Sequence, residues 1–445
     1  MKRCLALILS FYCHQFIVAQ SPPTQPSTGP GGSEYQHSGI TIYDYGTNQN
    51  GDGFWLYEPD SPKPDSANVV VFIHGLGQTN PKVYGKFIRH LVQKGNIVIY
   101  PRYQKDLFSN ASTFSDSCGK GIQRAMDTLN TTGHVVPRWE NYFILGHSVG
   151  GILTANMTMN HANYYIYKPK TAFSMQPGGV QGILLPDYSA FPSEVKYLVA
   201  VGDNDAIVGT QTGEFLFNNT TSVPTSHKNL IKHFADNHGT PAITATHNEP
   251  VGYDSFFDNG EDNITIAFTT GVEDAVEFYC YWKLQDALMD CALRNENCDV
   301  AFGDTEAQRN MGQWSDGTPV RQLQITPSSS TGIKDADNIQ VGIYPNPSMA
   351  KWNLTINRVE QGMYCYVYDV LGKCIAKQEV TNTNNVIENT FGSGVYVYEV
   401  LNKSGAVSPL MRATAKSKPV MTPLLAARKV TIKDTFHLGA PKAKA

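Results

Sequence analysis

The chain has 445 residues, 41% of them hydrophobic and 17% charged, which is enough for a large core plus one or two smaller modules. A net charge of −4, with no stripe of Lys/Arg interleaved with aromatics in the main body, gives no reason to invoke nucleic acid.

The chain opens on "MKRCLALILSFYCHQFIVAQ", where Lys2 and Arg3 precede an apolar run and Ala19 offers a small residue for cleavage. Residues 1–19 read as a secretory signal. The competing reading, a membrane anchor, is disfavoured because Ser10, His14 and Gln15 break a short apolar stretch. Cys4 and Cys13 lack a lipoprotein context, and no other segment could span a bilayer, so stable membrane insertion is not expected. Residues 20–36, "QSPPTQPSTGPGGS" onward, carry almost nothing to bury and are expected to be a linker.

From about His37 to Ile325, strand-like runs alternate with helix-like ones. "VVVFIHG" (69–75), "NIVIYPRY" (96–103), "YFILGHS" (142–148), "TAFSMQPGG" (171–179), "KYLVAVGDND" (196–205) and "AITATHNEP" (242–250) are short, β-branched or aromatic, and end in turn residues. "CGKGIQRAMDTLN" and "GGILTANMTMNHANYY" are helical candidates between them, and "VEDAVEFYCYWKLQDALMDCAL" closes the unit as a long helix. That rhythm predicts an α/β, doubly wound, mostly parallel sheet covered on both faces, over residues 37–325. Export permits disulfides, and Cys291 and Cys298 flank a polar Asn-rich turn, "DCALRNENCDV", where a small loop staple is expected. Cys365 and Cys374 could meet across a hairpin, a weaker pairing. With no second Cys or His pair at ligand spacing, no zinc site or other metal is expected.

A second polar break, residues 326–338 ("TPSSSTGIKDAD"), leads into alternating strands with Asn-Pro, Leu-Gly-Lys and Ser-Gly turns. These predict a small all-β sandwich over 339–405. Residues 406–445 carry eight Lys/Arg against the single acidic Asp434 and read as a disordered basic tail.

The chemistry-bearing stretch is "NYFILGHSVGG" (141–151). Gly146-His147-Ser148-Val149-Gly150 is Gly-x-Ser-x-Gly directly after a strand and directly before a helix-like run. Such a bend forces the serine into strained geometry with its hydroxyl exposed, above the positive end of the next helix. In a chain with 38 glycines the five residues alone could be accidental; their strand–helix context is what makes the signal strong.

With these pieces the chain resembles an α/β-hydrolase over residues 37–325, and within that superfamily the lidless secreted esterases related to dienelactone hydrolase and to cutinase-like polyester hydrolases. The resemblance implies a Ser, acid, His order along the chain. Its Gly-acid-x-Asp pattern falls on "VAVGDNDAIVG", which makes Asp205 the triad acid, with Asp203 as local rival better explained as a turn residue. The base should follow the last strand, and "AITATHNEP" offers His247 there; His238, in "DNHGTP", is the competitor and precedes that strand. His147 is expected behind the serine rather than in the chemistry. The resemblance also implies an oxyanion hole from the backbone N–H groups of Val149 and Leu76, the latter in "FIHGLGQ", where His74 and Gly75 shape the loop.

The reaction implied is acyl transfer through an acyl-serine on short-to-medium or polymeric esters, with no cofactor. The stretch between "TAFSM" and Tyr197 is too short for a helical cap, so an open groove is expected. Polyester-degrading relatives present an aromatic just after that strand; "QPGGVQG" has none. Alternatives are a peptidase of the prolyl oligopeptidase type or a thioesterase with the same triad, or a surface-displayed binding protein on an inactive scaffold. Further along, "IYPNPS", "VYDVLGK" and "GSGVYVYEV" resemble, in order, the C-terminal sorting domain of the type IX secretion system of Bacteroidetes. That implies the secretion machinery as partner and an extracellular or surface location, although a basic stretch of some forty residues follows where the family domain normally ends. A generic carbohydrate-binding sandwich is the alternative for this module.

A histidine base must be neutral to accept the serine proton, so ester hydrolysis is expected to fall as pH drops through the region of about 6.5 where free imidazole protonates. A rate that stays flat from acid to neutral pH contradicts the assignment.

Overall fold

The computed structural model describes residues 20–326, apart from 181, 262–270 and 272, and, further on, 341–344, 351–356, 359, 362–368, 373–388, 394–402, 405–406 and 411–415. The expected signal at 1–19, the break at 327–338 and the tail beyond 415 lie outside the described residues. Two units separate by internal contacts, Met1–Ser329 and Ser330–Ala445.

The first unit is a nine-stranded sheet. In chain order its strands are β1 (Gly39–Asp44), β2 (Phe54–Asp60), β3 (Ser66–Ile73), β4 (Asn96–Pro101), β5 (Val136–His147), β6 (Thr171–Met175), β7 (Lys196–Gly202), β8 (Lys228–His233) and β9 (Gln324–Thr326). Their spatial order is β1-β2-β4-β3-β5-β6-β7-β8-β9. The six strands from β4 through β8 in that order run parallel, and β1, β2 and β9 are antiparallel additions at the two sides.

Side-chain alternation explains why the parallel strands read as unbroken apolar runs. On β3, Val70 and Phe72 enter one core with Phe143, Leu145, Phe173, Leu198 and Ala200. Val69, Val71 and Ile73 enter the opposite core with Ile144, Ala172 and Val199. The first core is covered by α1 (Gly85–Gln93) and α5 (Trp282–Arg294), through Phe87, Ile88, Leu284 and Leu288. The second is covered by α2 (Phe114–Leu129), α3 (Val149–Met159) and α4 (Gln211–Asn219), through Ile122, Leu153 and Leu216. Both faces of a mostly parallel sheet are therefore buried, as the sequence rhythm implies.

Three expectations are corrected. "AITATHNEP" is not a sheet strand; it makes a single bridge, Ile243 to Asp236, and the last parallel strand is "KNLIKH", β8. The segment 20–36 has fixed partners rather than the freedom of a linker. The carbonyl of Gln20 accepts the N–H of Thr240, the N–H of Gly31 donates to Asp286 (2.9 Å), and Gly31 lies so close to α5 that a Cβ would meet the Phe278 carbonyl at 2.1 Å. Cys365 and Cys374 are not joined to each other: the register sets Cys365 opposite Gln378, and Cys365 is buried while Cys374 is exposed. Cys291 and Cys298 are joined as expected, after Asn295 turns left-handed (φ 57°) at the end of α5.

The second unit has two antiparallel sheets. β10 (Val341–Tyr344), β11 (Lys351–Ile356) and β14 (Asn384–Glu388) form one. β12 (Tyr364–Tyr368), β13 (Cys374–Glu379), β15 (Gly394–Asn402) and β16 (Gly405–Ala406) form the other, with β17 (Met411–Ala415) pairing β15. Leu354, Ile356 and Ile387 from the first share a core with Cys365, Val367, Tyr398 and Val400 from the second. The β-structure thus runs past the expected boundary at 405.

Just ahead of α5 the backbone widens into a π turn, Glu277–Tyr281. Glu277 is buried, takes the N–H of Asp274 on Oε2 and has no partner for Oε1 among the described residues. Burial, then the nearby Asp274 carboxyl, raises its pKa well above the ordinary 4.5; burial likewise raises Asp274 to about 7. Carboxyls with raised folded values hold protons in the native state, so their contribution is complete below the ordinary carboxyl range and is lost as pH climbs. Thermal stability is expected to decline from about pH 4.5 to beyond about pH 7, and Glu277→Gln to flatten that slope. An unchanged pH dependence of Tm in the variant contradicts a protonated Glu277.

Candidate active site

Parallel strands deliver their C-terminal ends to one edge of a sheet, and the loops leaving those ends meet there. Ser148 follows β5 at once and precedes α3. Its backbone is at φ 58°, ψ −121°, a region costly for a residue with a side chain, of order 1–3 kcal/mol. The strain is held in place by hydrogen bonds on both sides: the Ser148 N–H donates to the Met175 carbonyl (3.0 Å), and its carbonyl accepts from Gly151, Ile152 and Gly178. Glycine is required beside it. A Cβ on Gly150 would stand 2.1 Å from the Ile73 carbonyl oxygen, and one on Gly146 would stand 2.4 Å from the Gly150 carbonyl oxygen.

His247 stands opposite. Its Nε2 lies 2.9 Å from Ser148 Oγ, and its Nδ1 lies 2.8 Å from Asp205 Oδ2. A carboxylate can only accept, so Nδ1 carries the proton and Nε2 is left to accept the serine O–H. Asp205 follows β7 and turns back on itself, its Oδ1 accepting from the N–H groups of Ile207 (3.0 Å) and Val208 (2.9 Å). Burial alone would raise its pKa, but the His247 hydrogen bond and charge, with those two N–H donors, outweigh it and hold the carboxyl below its usual value.

The loop bearing His247 is pinned by its own backbone. The Ala245 carbonyl accepts from Asn204 N–H (3.1 Å), and Glu249 Oε1 accepts the Thr246 N–H (2.8 Å). The His247 carbonyl accepts from His147 Nε2 (2.8 Å). His147 is therefore protonated on Nε2 and takes the Tyr84 hydroxyl proton on Nδ1 (2.8 Å). Burial, then the neighbouring His247, holds the His147 pKa well below the ordinary imidazole value, so this ring stays neutral. Tyr84 in turn accepts the N–H of Gly75 (3.0 Å). One buried chain of hydrogen bonds thus joins the loop after β3, the serine bend and the His247 loop.

The loop after β3 passes close to the serine: a Cβ on Gly75 would lie 3.4 Å from Ser148 Cβ. Three of its N–H groups have acceptors. Gly75 donates to Tyr84, Gly77 to Gln104 Oε1 (2.9 Å) and Gln78 to the Gly75 carbonyl (3.1 Å). Leu76 has no acceptor among the described residues, and neither has Val149 at the head of α3. Both line the same cavity of about 220 Å³ as Ser148 and His247. Val180, Ile207 and Val208 supply apolar wall there, Gln78 and Asn248 polar edge. Between β6 and β7 the described chain holds one short 3₁₀ turn, Tyr188–Ala190, and no helical cap.

The rivals are elsewhere engaged. Asp203 pairs with Lys232 (2.8 Å). His238 pairs with Asp316 (2.8 Å) and packs on Trp314. A larger cavity, about 290 Å³, lies between Gly29–Pro30 and α5, but four of its charged groups pair with each other, Asp286 with Lys94 and Asp290 with Arg294. It holds no nucleophile beside a base. Tyr84 and Gln176, which bracket the site, were not legible in the sequence. Nothing in their local context distinguishes them from core residues.

A stretch of the second unit is similar to a class of export modules. Residues 342–409 match the family of secretion system C-terminal sorting domains, which directs export by the type IX route to the cell surface or the extracellular space. Its partner is that secretion machinery. No curated protein matches the chain. Among the described residues, no helix is long and apolar enough to cross a membrane.

Gly150→Ala is expected to destabilise the first unit by about 3 kcal/mol, because its Cβ meets backbone rather than a mobile side chain. A variant that melts with the wild type contradicts the close approach of β3 and α3.

Proposed function

We propose that the first unit is a serine carboxylester hydrolase with an α/β-hydrolase fold, exported and presented outside the cell by its sorting domain. The observation that carries this reading is the pair of hydrogen bonds from His247, 2.9 Å to Ser148 Oγ and 2.8 Å to Asp205 Oδ2, on a strained strand-to-helix bend.

The reaction runs as acyl transfer. His247 Nε2 takes the Ser148 proton as Oγ bonds to the ester carbonyl carbon. The carbonyl oxygen becomes an oxyanion, received by the uncommitted N–H groups of Leu76 and Val149, the latter at the positive end of α3. The C–O bond to the alcohol breaks, His247 returns its proton to the leaving oxygen, and an acyl-serine remains. Water, deprotonated by the same ring, attacks the acyl carbon and releases acid and free serine. Asp205 stays ionised throughout, holding the ring's tautomer and offsetting the imidazolium charge.

A largely apolar wall with no cationic side chain suits uncharged acyl groups, and the absence of a cap in the described chain suits an open groove admitting short esters or chain ends of a polymer. No observation favours a peptide or thioester over an oxygen ester.

Against p-nitrophenyl esters of graded chain length, Ser148→Ala is expected to lose on the order of 10⁴- to 10⁶-fold in kcat. Asp205→Asn is expected to lose about 10⁴-fold, with the ring held in the wrong tautomer. If Ser148→Ala hydrolyses the series at the wild-type rate, the nucleophile assignment is wrong.

A further inference from the structure

Asp205 has a third partner outside the triad. Gln176 follows β6 immediately, and its backbone sits at φ 41°, a left-handed value that a glutamine adopts at a cost. The conformation is held by its N–H donating to the Ala200 carbonyl at 2.7 Å. It turns the side chain inward, fully buried, between the acid and the base.

Gln176 Nε2 lies 3.2 Å from Asp205 Oδ2 and 2.6 Å from the Thr246 carbonyl oxygen. Both partners are acceptors, so the amide must present its NH₂ to them; the flipped amide would set three oxygens against one another. Its two hydrogens therefore tie the triad acid to the peptide that carries the triad base. On the far side, Gln176 Oε1 accepts from the Tyr281 hydroxyl (3.1 Å), and Tyr281 lies 3.0 Å from His233 Nε2. Since the tyrosine proton is committed to Gln176, His233 donates from Nε2. His233 Nδ1, the unprotonated nitrogen of that tautomer, has no donor among the described residues. Burial lowers His233 to about 4, in keeping with that state.

Every bond in this series points the same way: imidazole N–H to tyrosine oxygen, tyrosine O–H to amide oxygen, amide N–H to carboxylate. Aligned donors polarise one another, most of all in a dry interior, and all of these side chains are buried. Tyr281 is also the last residue of the π turn, and such turns insert a residue and re-aim a side chain.

We propose that Gln176 is a positioning residue for the Asp205–His247 pair, and that His233 and Tyr281 form the relay that orients it. This rests on the hydrolase reading above. The clamp fixes the separation of acid and base, which otherwise come from two loops. It also places a partial positive charge on Asp205 Oδ2, the same oxygen that faces the imidazole, so the acid supports the imidazolium without over-stabilising it.

The test uses the full chain and p-nitrophenyl butyrate. Gln176→Met keeps the side-chain length and removes both donors. It is expected to lower kcat between about 10- and 100-fold with KM within about twofold, the scale of misplacing a catalytic group by about an ångström. The acid limb of kcat/KM is expected to move to higher pH, because the carboxylate, relieved of one donor, holds the imidazolium more strongly. The titratable groups facing that imidazole are Asp205 and the buried, neutral His147; the substitution removes one donor from the first and leaves the second untouched. A purely structural role lowers yield or Tm and leaves the limb in place. Tyr281→Phe, one oxygen lighter, is expected to shift kcat and the limb in the same direction by a smaller amount, and it decides the matter if Gln176→Met does not fold. Wild-type kcat and an unmoved limb in a folded variant overturn the proposal. If Ser148→Ala abolishes hydrolysis while both variants behave as wild type, this inference alone fails. If the wild type hydrolyses no ester of the series, the enzyme reading fails and this one with it.

Discussion

The tightness of the bend at Ser148 governs the rest of the first unit. A side chain can occupy φ 58° there only because β3, β6 and α3 close around it, and they can close only because residues 146 and 150 carry no Cβ. The same closeness brings the loop after β3 to within contact of the serine and leaves the Leu76 N–H uncommitted. Strain at one residue is thus stabilised by a whole sheet edge, which is how strained backbone persists at sites that do chemistry.

Around that bend, buried polar groups settle each other's protonation by simple bookkeeping of donors and acceptors. A carboxylate accepts only, so it fixes the His247 tautomer; a backbone carbonyl accepts only, so it fixes the His147 tautomer. The two rings, 4.7 Å apart, are consequently not equivalent. One faces the serine and an acid; the other, dry and neutral, serves as a spacer between Tyr84 and the His247 loop. Electrostatics and geometry act together here: the network that fixes the distances also keeps the buried His147 ring neutral beside His247.

Much of this was legible in the sequence, for identifiable reasons. The parallel strands β3 to β7 announce themselves because burial on both faces demands continuous apolar runs, and the Gly-x-Ser-x-Gly stretch because steric closeness demands glycine at fixed offsets. The order Ser148, Asp205, His247 matches the arrangement that meets in space. What was missed shares a different character. β8 reads "KNLIKH", and its polar residues are tolerated because Lys228 reaches out to the carbonyls of Phe217 and Thr220 at the end of α4. "AITATH" has strand composition yet spends its polar groups on Glu249 and Asp236. Gln176 acts through side chains 29 and 105 residues away, and Tyr84 reaches His147 across 63, which no local pattern encodes. Segment 20–36 docks through backbone atoms, to which composition is blind.

That segment has a kinetic implication. Ser21 bonds Ser315, Gly31 bonds Asp286, and the Gln20 carbonyl bonds Thr240, so the opening of the first unit is seated on residues made some two to three hundred positions later. Closing so long a loop is entropically expensive and cannot precede synthesis of its far side. During vectorial emergence the early strap must wait, unattached, until α5 and the loop near 315 exist. Completion of the unit is therefore a late event, and the stretch translated next is the one that carries the sorting domain.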